Sequence, residues 1–159
     1  MRTDWKDLLN LSGLSAVVWL EGINDLSAGG SVDAITEGMR EVVRRIREHR
    51  GIRIMAATIA SSLGSNGAVG SADADARRQG VNNFIRTGGL FDAVTDFDLA
   101  TRDSQTGSLR AEFQPNSTTG GAGDRLHPNR AGYQAMGNAI DLSFFAPTTG
   151  GRSPSPAGR

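Results

Sequence analysis

The sequence contains no cysteine, so a disulfide framework, a thiolate metal site and a cysteine nucleophile are all excluded. The compartment stays open on that ground, because disulfides are permitted outside the cytosol and not required there. Histidine is nearly as scarce: two residues in 159 narrow imidazole-based proton transfer to His49 or His127. An excess of one charge is lacking too, since 17 Lys and Arg face 17 Asp and Glu. The chain therefore has neither the basic footprint of a nucleic-acid binder nor a reason to bind an anionic membrane surface. The longest unbroken apolar runs are short pieces such as residues 16–20, far from the ~20 residues that a membrane-spanning helix requires. Near the N-terminus, Asp4, Lys6 and Asp7 interrupt the stretch where the apolar region of a signal peptide would lie.

What is present fits a single globular domain: 38% hydrophobic residues with 21 Gly and 5 Pro is ordinary for that class. Residues 16–20 (Ala-Val-Val-Trp-Leu) are a continuous apolar, β-rich run, and 52–59 a second one broken by Arg53 and Thr58. Between them Ile35, Met39, Val42, Val43 and Ile46 recur at three- and four-residue steps, which places them on one face of a helix. Ser31 is its expected N-cap and Gly51 its stop. Residues 61–75 read as a Ser/Gly/Ala loop. A second helix is expected over 76–86 with Val81, Phe84 and Ile85 inward, then a third strand over 91–97. The polar, Gly-rich stretch 101–123 is too long for a simple connection. A last helix follows Pro128, with Tyr133, Met136 and Ile140 on its apolar stripe. The domain is expected over 1–146, followed by a disordered tail, 147–159, of Pro, Gly, Ser, Thr and Arg. The order β-α-β-α-β-α predicts an α/β fold: an open parallel sheet with flanking helices in three layers, α/β/α, of flavodoxin-like type. Three strands are few for such a sheet, so it is expected to lack its first strand or strands.

Sheets of this kind bind ligands beyond the carboxyl ends of their strands, which directs attention to three segments. The strand at 16–20 runs into Glu21-Gly22-Ile23-Asn24-Asp25, and the next strand into residues 58–62. Asp124-Arg125-Leu126-His127 stands just ahead of the last helix. The spacing of Asp124 and His127 lets a carboxylate accept the imidazole Nδ1–H bond, fixing the tautomer for acid–base work. It equally suits a turn that caps a helix, and spacing alone leaves both readings open. Asn24 is either an ordinary turn residue or a side-chain amide placed to donate to an oxyanion. His49, near the end of a charged helix, reads as a surface residue at the negative end of the dipole.

Together these blocks resemble the SGNH hydrolases, the GDSL-type esterases and lipases. Gly22-Ile23-Asn24-Asp25 matches the family's G-x-N-D block at the end of a strand, and Asp124-Arg125-Leu126-His127 its D-x-x-H block before the last helix. Flanking stretches such as V-V-W-L-E-G-I-N-D-L (17–26) and H-P-N-R-A-G-Y (127–133) resemble bacterial secreted members, which implies an extracytoplasmic location. The resemblance covers roughly residues 5–145. It implies ester hydrolysis through an acyl-enzyme, with no cofactor and no metal. His127 would be the general base and acid, Asp124 its orienting partner, and Asn24 the oxyanion donor. Gly22, Ser61 and Ser62 would contact a small ester substrate.

The sequence departs from the family in one respect: it has no Gly-Asp-Ser block, from which the family's nucleophile comes. It is therefore expected to correspond to the C-terminal part of such an enzyme. Two other readings fit the same residues. One is a small esterase with a relocated serine, Ser61 or Ser62; the other is a catalytically silent module that holds an ester, an acetylated glycan or a partner. In contrast, Ser27 and Ser31 read as loop and helix-cap residues. A sheet lacking its first strand would leave an open edge, through which the chain is expected to form a homodimer.

Overall fold

Parallel strands bury both faces and cannot be joined by tight hairpins, so apolar runs alternating with helices build a layered sheet. The computed structural model of the protein shows this arrangement for residues 11–49 and 51–147, the residues it describes. Three strands, β1 (Ala16–Trp19), β2 (Arg53–Ala57) and β3 (Ala93–Thr95), lie in the order β1-β2-β3. Both pairings are parallel, with Trp19 opposite Ala56 and Ala57 opposite Thr95. Among the described residues five α-helices accompany them: α1 (Ile23–Ser27), α2 (Val32–Arg47), α3 (Ala72–Thr87), α4 (Phe97–Thr101) and α5 (Arg130–Asn138).

The alternation of side chains along the strands sets the layers. Trp19, Ile54 and Ala56 face α2 and α3, where Met39, Val43 and Val81 complete the larger core. Ala57 points to the opposite face and packs with Phe97 and Met136 of α4 and α5. Ser31 caps α2 as its sequence suggests, accepting from the Ala34 N–H at 3.2 Å. Arg78 is the surprise of the interior: it sits on α3 with 1% of its surface exposed, held by Asp75 and Asp98.

Several boundaries differ from expectation, each for a local reason. The α3 helix begins at Ala72, four residues early, because Ser71 accepts from the Ala74 N–H at 3.2 Å and Asp73 and Asp75 favour the positive end of the helix. The third strand spans only three residues, and Phe97 opens α4, because the Asp96 carboxylate accepts from the Leu99 N–H at 3.0 Å and caps a helix there. Tyr133 is not a core residue, being 45% exposed, while Met136 on the same helix is buried. Ile140 lies beyond the end of α5 but packs against the second core cluster as expected. The stretch 101–123 buries Leu109 and Phe113, the latter against Gly132 of α5, so it is packed onto the domain. The expected disordered tail, beyond Pro147, lies outside the described residues. Among the described residues no helix is long and apolar enough to cross a membrane.

Both outer strands have a hydrogen-bonded neighbour on one side only among the described residues. The edge of β3 is cut short by α4, whereas β1 presents four residues, the exposed Val18 among them, with the exposed Leu20 just past its end. Such an edge templates pairing with another chain. The polypeptide 1–159 is accordingly expected to self-associate at micromolar concentration in sedimentation velocity, and Val18→Lys to shift it toward monomer. A clean monomer for the unmodified chain would contradict this expectation.

Candidate active site

The turn after β1 depends on Gly22. Its φ of +115° lies in the left-handed region, where a side chain is strained, and a Cβ there would stand 2.9 Å from Ile59 Cδ1. Glycine thus lets the chain enter α1 at once, with Leu26 N–H bonding the Gly22 carbonyl at 3.0 Å. Asn24, the second residue of α1, is exposed as a result. Among the described residues nothing accepts from its side-chain amide, whose two N–H groups can donate to a ligand.

The other half of the site is a turn organised by one carboxylate. Asp124 Oδ1 accepts the backbone N–H groups of Leu126 (3.0 Å) and His127 (2.8 Å). Its Oδ2 lies 2.6 Å from His127 Nδ1. Arg125 makes this tight winding possible by adopting a positive φ of 61°, an uncommon conformation for a non-glycine residue. Burial by itself would raise the Asp124 pKa. The hydrogen bonds from the imidazole and from the two backbone N–H groups outweigh it and hold the group down at about 2. Ionised, the carboxylate can only accept, so His127 Nδ1 carries the proton and Nε2 is the nitrogen open to a reactant.

Two residues further on, Asn129 fastens the end of this turn. Its Oδ1 caps α5 by accepting from the Gly132 N–H at 3.1 Å. Its Nδ2 donates to the carbonyls of Glu112 (2.8 Å) and Pro115 (2.9 Å), and its N–H to that of Phe113 (2.7 Å). Gly132 allows the close approach, since a Cβ there would lie 2.6 Å from Pro128 Cβ. Nothing in the sequence singled out Asn129 as a tether; its only visible signal was the Pro-Asn pair at the start of a helix.

Asn24 and His127 meet in a half-open cleft of about 280 Å³ at the carboxyl ends of β1 and β2. Its walls are mainly apolar, including Leu20, Ile23, Ile59, Val69 and Met136, with Glu21, Ser27 and Tyr133 adding polar groups. Of the residues expected from the sequence, Asn24, Asp124 and His127 are thus assembled at or beside one cavity. Ser61 and Ser62 are not brought to it. Both are buried, and their hydroxyls donate to the carbonyls of Gly107 (2.7 Å) and Val69 (3.0 Å). Gly22 shapes the turn without lining the cleft. Sequence reasoning set aside Ser27 as a loop residue and Tyr133 as core, yet both line the cleft. A one-turn offset from Asn24 was the available signal for Ser27. Among the described residues no group of three or more His, Asp or Glu is gathered as metal ligands would be.

A parallel α/β sheet with a cleft at its carboxyl edge, bordered by an Asp-His pair and an exposed asparagine, defines the class as an open-sheet α/β protein. The chain belongs to the GDSL-like lipase/acylhydrolase family, whose model matches residues 1–135. Its fold is similar to that of a GDSL-like lipase from Bacteroides thetaiotaomicron (TM-score 0.71, 16% identity, covering 88% of this chain and 66% of that one). A chain from Bacteroides fragilis assigned as an acylhydrolase is also similar (TM-score 0.65, 18% identity, 88% and 65% covered). The chain thus spans about two thirds of the length of these two structures. No curated protein matches the sequence.

The Asp124 pair has a measurable signature. A carboxyl whose folded pKa is depressed lends stability that is fully present above its ordinary value of 3.8 and is lost as pH falls through about 2. The 13C carboxyl resonance of Asp124 is expected to titrate near pH 2, and in His127→Ala to move up toward 3.8, stopping short because the two backbone donors remain. A midpoint unchanged by His127→Ala would show that the imidazole does not hold the carboxylate.

Proposed function

We propose that this chain carries the acid–base and oxyanion-binding machinery of a carboxylic ester hydrolase, working through an acyl-enzyme. The observation that carries the reading is the 2.6 Å contact between His127 Nδ1 and Asp124 Oδ2 beside a cleft that also holds Asn24. His127 Nε2 takes the proton of a serine hydroxyl as its oxygen attacks the ester carbonyl. The Asn24 amide donates to the carbonyl oxygen as it gains negative charge. Asp124 keeps the imidazole in the required tautomer and stabilises the imidazolium. Collapse of the tetrahedral species breaks the ester C–O bond, and His127 returns the proton to the leaving alcohol. Water then enters by the same route and releases the acid. The apolar walls favour a small ester with an uncharged acyl group, located outside the cytoplasm as in the secreted members the sequence resembles.

The test is turnover of a short p-nitrophenyl ester by the whole protein. His127→Ala is expected to lower it on the order of 10²–10⁴-fold and Asn24→Ala on the order of 10²–10³-fold; equal rates in all three proteins would sink the proposal. Fluorophosphonate labelling of residues 1–159 locates the nucleophile. Stoichiometric label on Ser27 would make that cleft hydroxyl the nucleophile.

A second reading draws on Ser61 and Ser62, whose hydroxyls are buried and donate to the carbonyls of Gly107 and Val69. On that reading the cleft holds an ester or acetylated glycan without turnover. Saturable binding unaffected by His127→Ala, with no hydrolysis, would select it.

A further inference from the structure

The cleft has a wall whose support comes from an unusual place. The last ladder bond of β2 toward β3 runs from the Thr58 N–H to the Thr95 carbonyl at 3.0 Å. At Ile59 the chain leaves the sheet while still buried, so its peptide groups need partners that no strand supplies. Side chains of α3 provide them. Asn82 Oδ1 accepts from the Ile59 N–H at 2.8 Å, and Asn82 Nδ2 donates to the Ile59 carbonyl at 2.9 Å. Arg78 Nη1 donates to the same carbonyl at 2.8 Å.

Arg78 is in turn fixed by Asp75 at 2.8 Å and Asp98 at 2.6 Å. A buried ion pair is commonly matched or bettered in stability by apolar residues of the same volume, so stability alone is a weak account of it. What apolar residues cannot do is hold the N–H and the carbonyl of one buried residue. That residue matters to the cleft: Ile59 and Ala60 line it, and Ile59 Cδ1 lies 2.9 Å from the point where Gly22 would carry a Cβ. Ile59 is therefore the surface against which the turn bearing Asn24 is set.

We propose that Asn82 and Arg78 are positioning residues of the cleft, Asn82 holding the N–H and both holding the carbonyl of Ile59, so that its side chain fixes the Gly22 turn and thereby the direction of the Asn24 amide. The functional meaning rests on Asn24 acting as an oxyanion donor, but the geometric claim can be measured without any turnover. Neither residue touches substrate; they act through Ile59.

The experiment compares Asn82→Ala with Val81→Ala in the whole protein, following the side-chain amide signal of Asn24 by 1H–15N NMR together with thermal unfolding. Val81 is its neighbour on α3, equally buried, and outside the clamp. Both variants are expected to lower the unfolding temperature, but only Asn82→Ala to displace the Asn24 signal. Asn82→Asp, close in shape and retaining the acceptor for the Ile59 N–H, is expected to displace it less and serves if the alanine variant does not fold. The clamp is overturned if the Asn24 signal stays in place in the Asn82 variants, or moves equally in Val81→Ala. Failure of the clamp leaves His127-dependent ester turnover intact, whereas failure of the hydrolase reading shows as turnover independent of His127 whatever the Asn24 signal does.

Discussion

A carboxylate removed from water must be paired, and Asp98 is the point at which that constraint organises the molecule. Its side chain is 3% exposed and meets Arg78 at 2.6 Å, Arg86 at 3.0 Å and Arg102 at 3.4 Å. Left unpaired, such a charge costs several kcal/mol, so the two arginines of α3 and the one just past α4 must stay where they are. The Thr58 hydroxyl joins β2 to the same assembly, accepting from the Asp98 N–H at 2.9 Å and donating to Asp96 at 2.8 Å. Burial works to raise the Asp96 pKa, but Arg86, the Leu99 N–H and Thr58 bring it down to about 2. The end of β2, α3 and α4 are thereby locked behind the cleft.

The front of the cleft is built on the opposite plan. Asn24 and His127 are exposed, and each is aimed by a few local contacts. A glycine turn presents the amide, and a carboxylate with an asparagine tether presents the imidazole. On the proposed reading both groups must meet a substrate, so their precision has to come from the backbone that carries them. The rigid back and the sparse front are complementary parts of one design.

How much of this could be read from the sequence follows the range of the interactions involved. The α2 helix was legible because its apolar stripe and the Ser31 cap are local. The parallel strands were legible as apolar runs, and the pairing of Asp124 with His127 follows from three-residue spacing inside one turn. The early start of α3 was equally local, written in Ser71, Asp73 and Asp75, but masked by the polar composition around it. Arg78 was not legible, since an arginine in a helix rich in charge reads as solvated until Asp98, 20 residues on, is brought beside it. For Ser61 and Ser62, position at a strand end was correctly read, but the direction of a side chain after a strand ends depends on what packs around it. Tyr133 shows the same limit, sharing a helix with Met136 while facing the cleft.

The tether from Asn129 also divides the long segment before the histidine into two parts with different histories open to them. Residues 112–115 are held to the start of α5 through their carbonyls. Residues 116–121 form an excursion that closes on itself, the Asn116 N–H meeting the Gly121 carbonyl at 2.9 Å. A loop whose ends already touch can lengthen at little entropic cost, roughly 0.6 kcal/mol for each doubling. Insertions and deletions confined to this excursion would leave the imidazole in register, so a lineage can remodel this part of its surface while inheriting its chemistry unchanged.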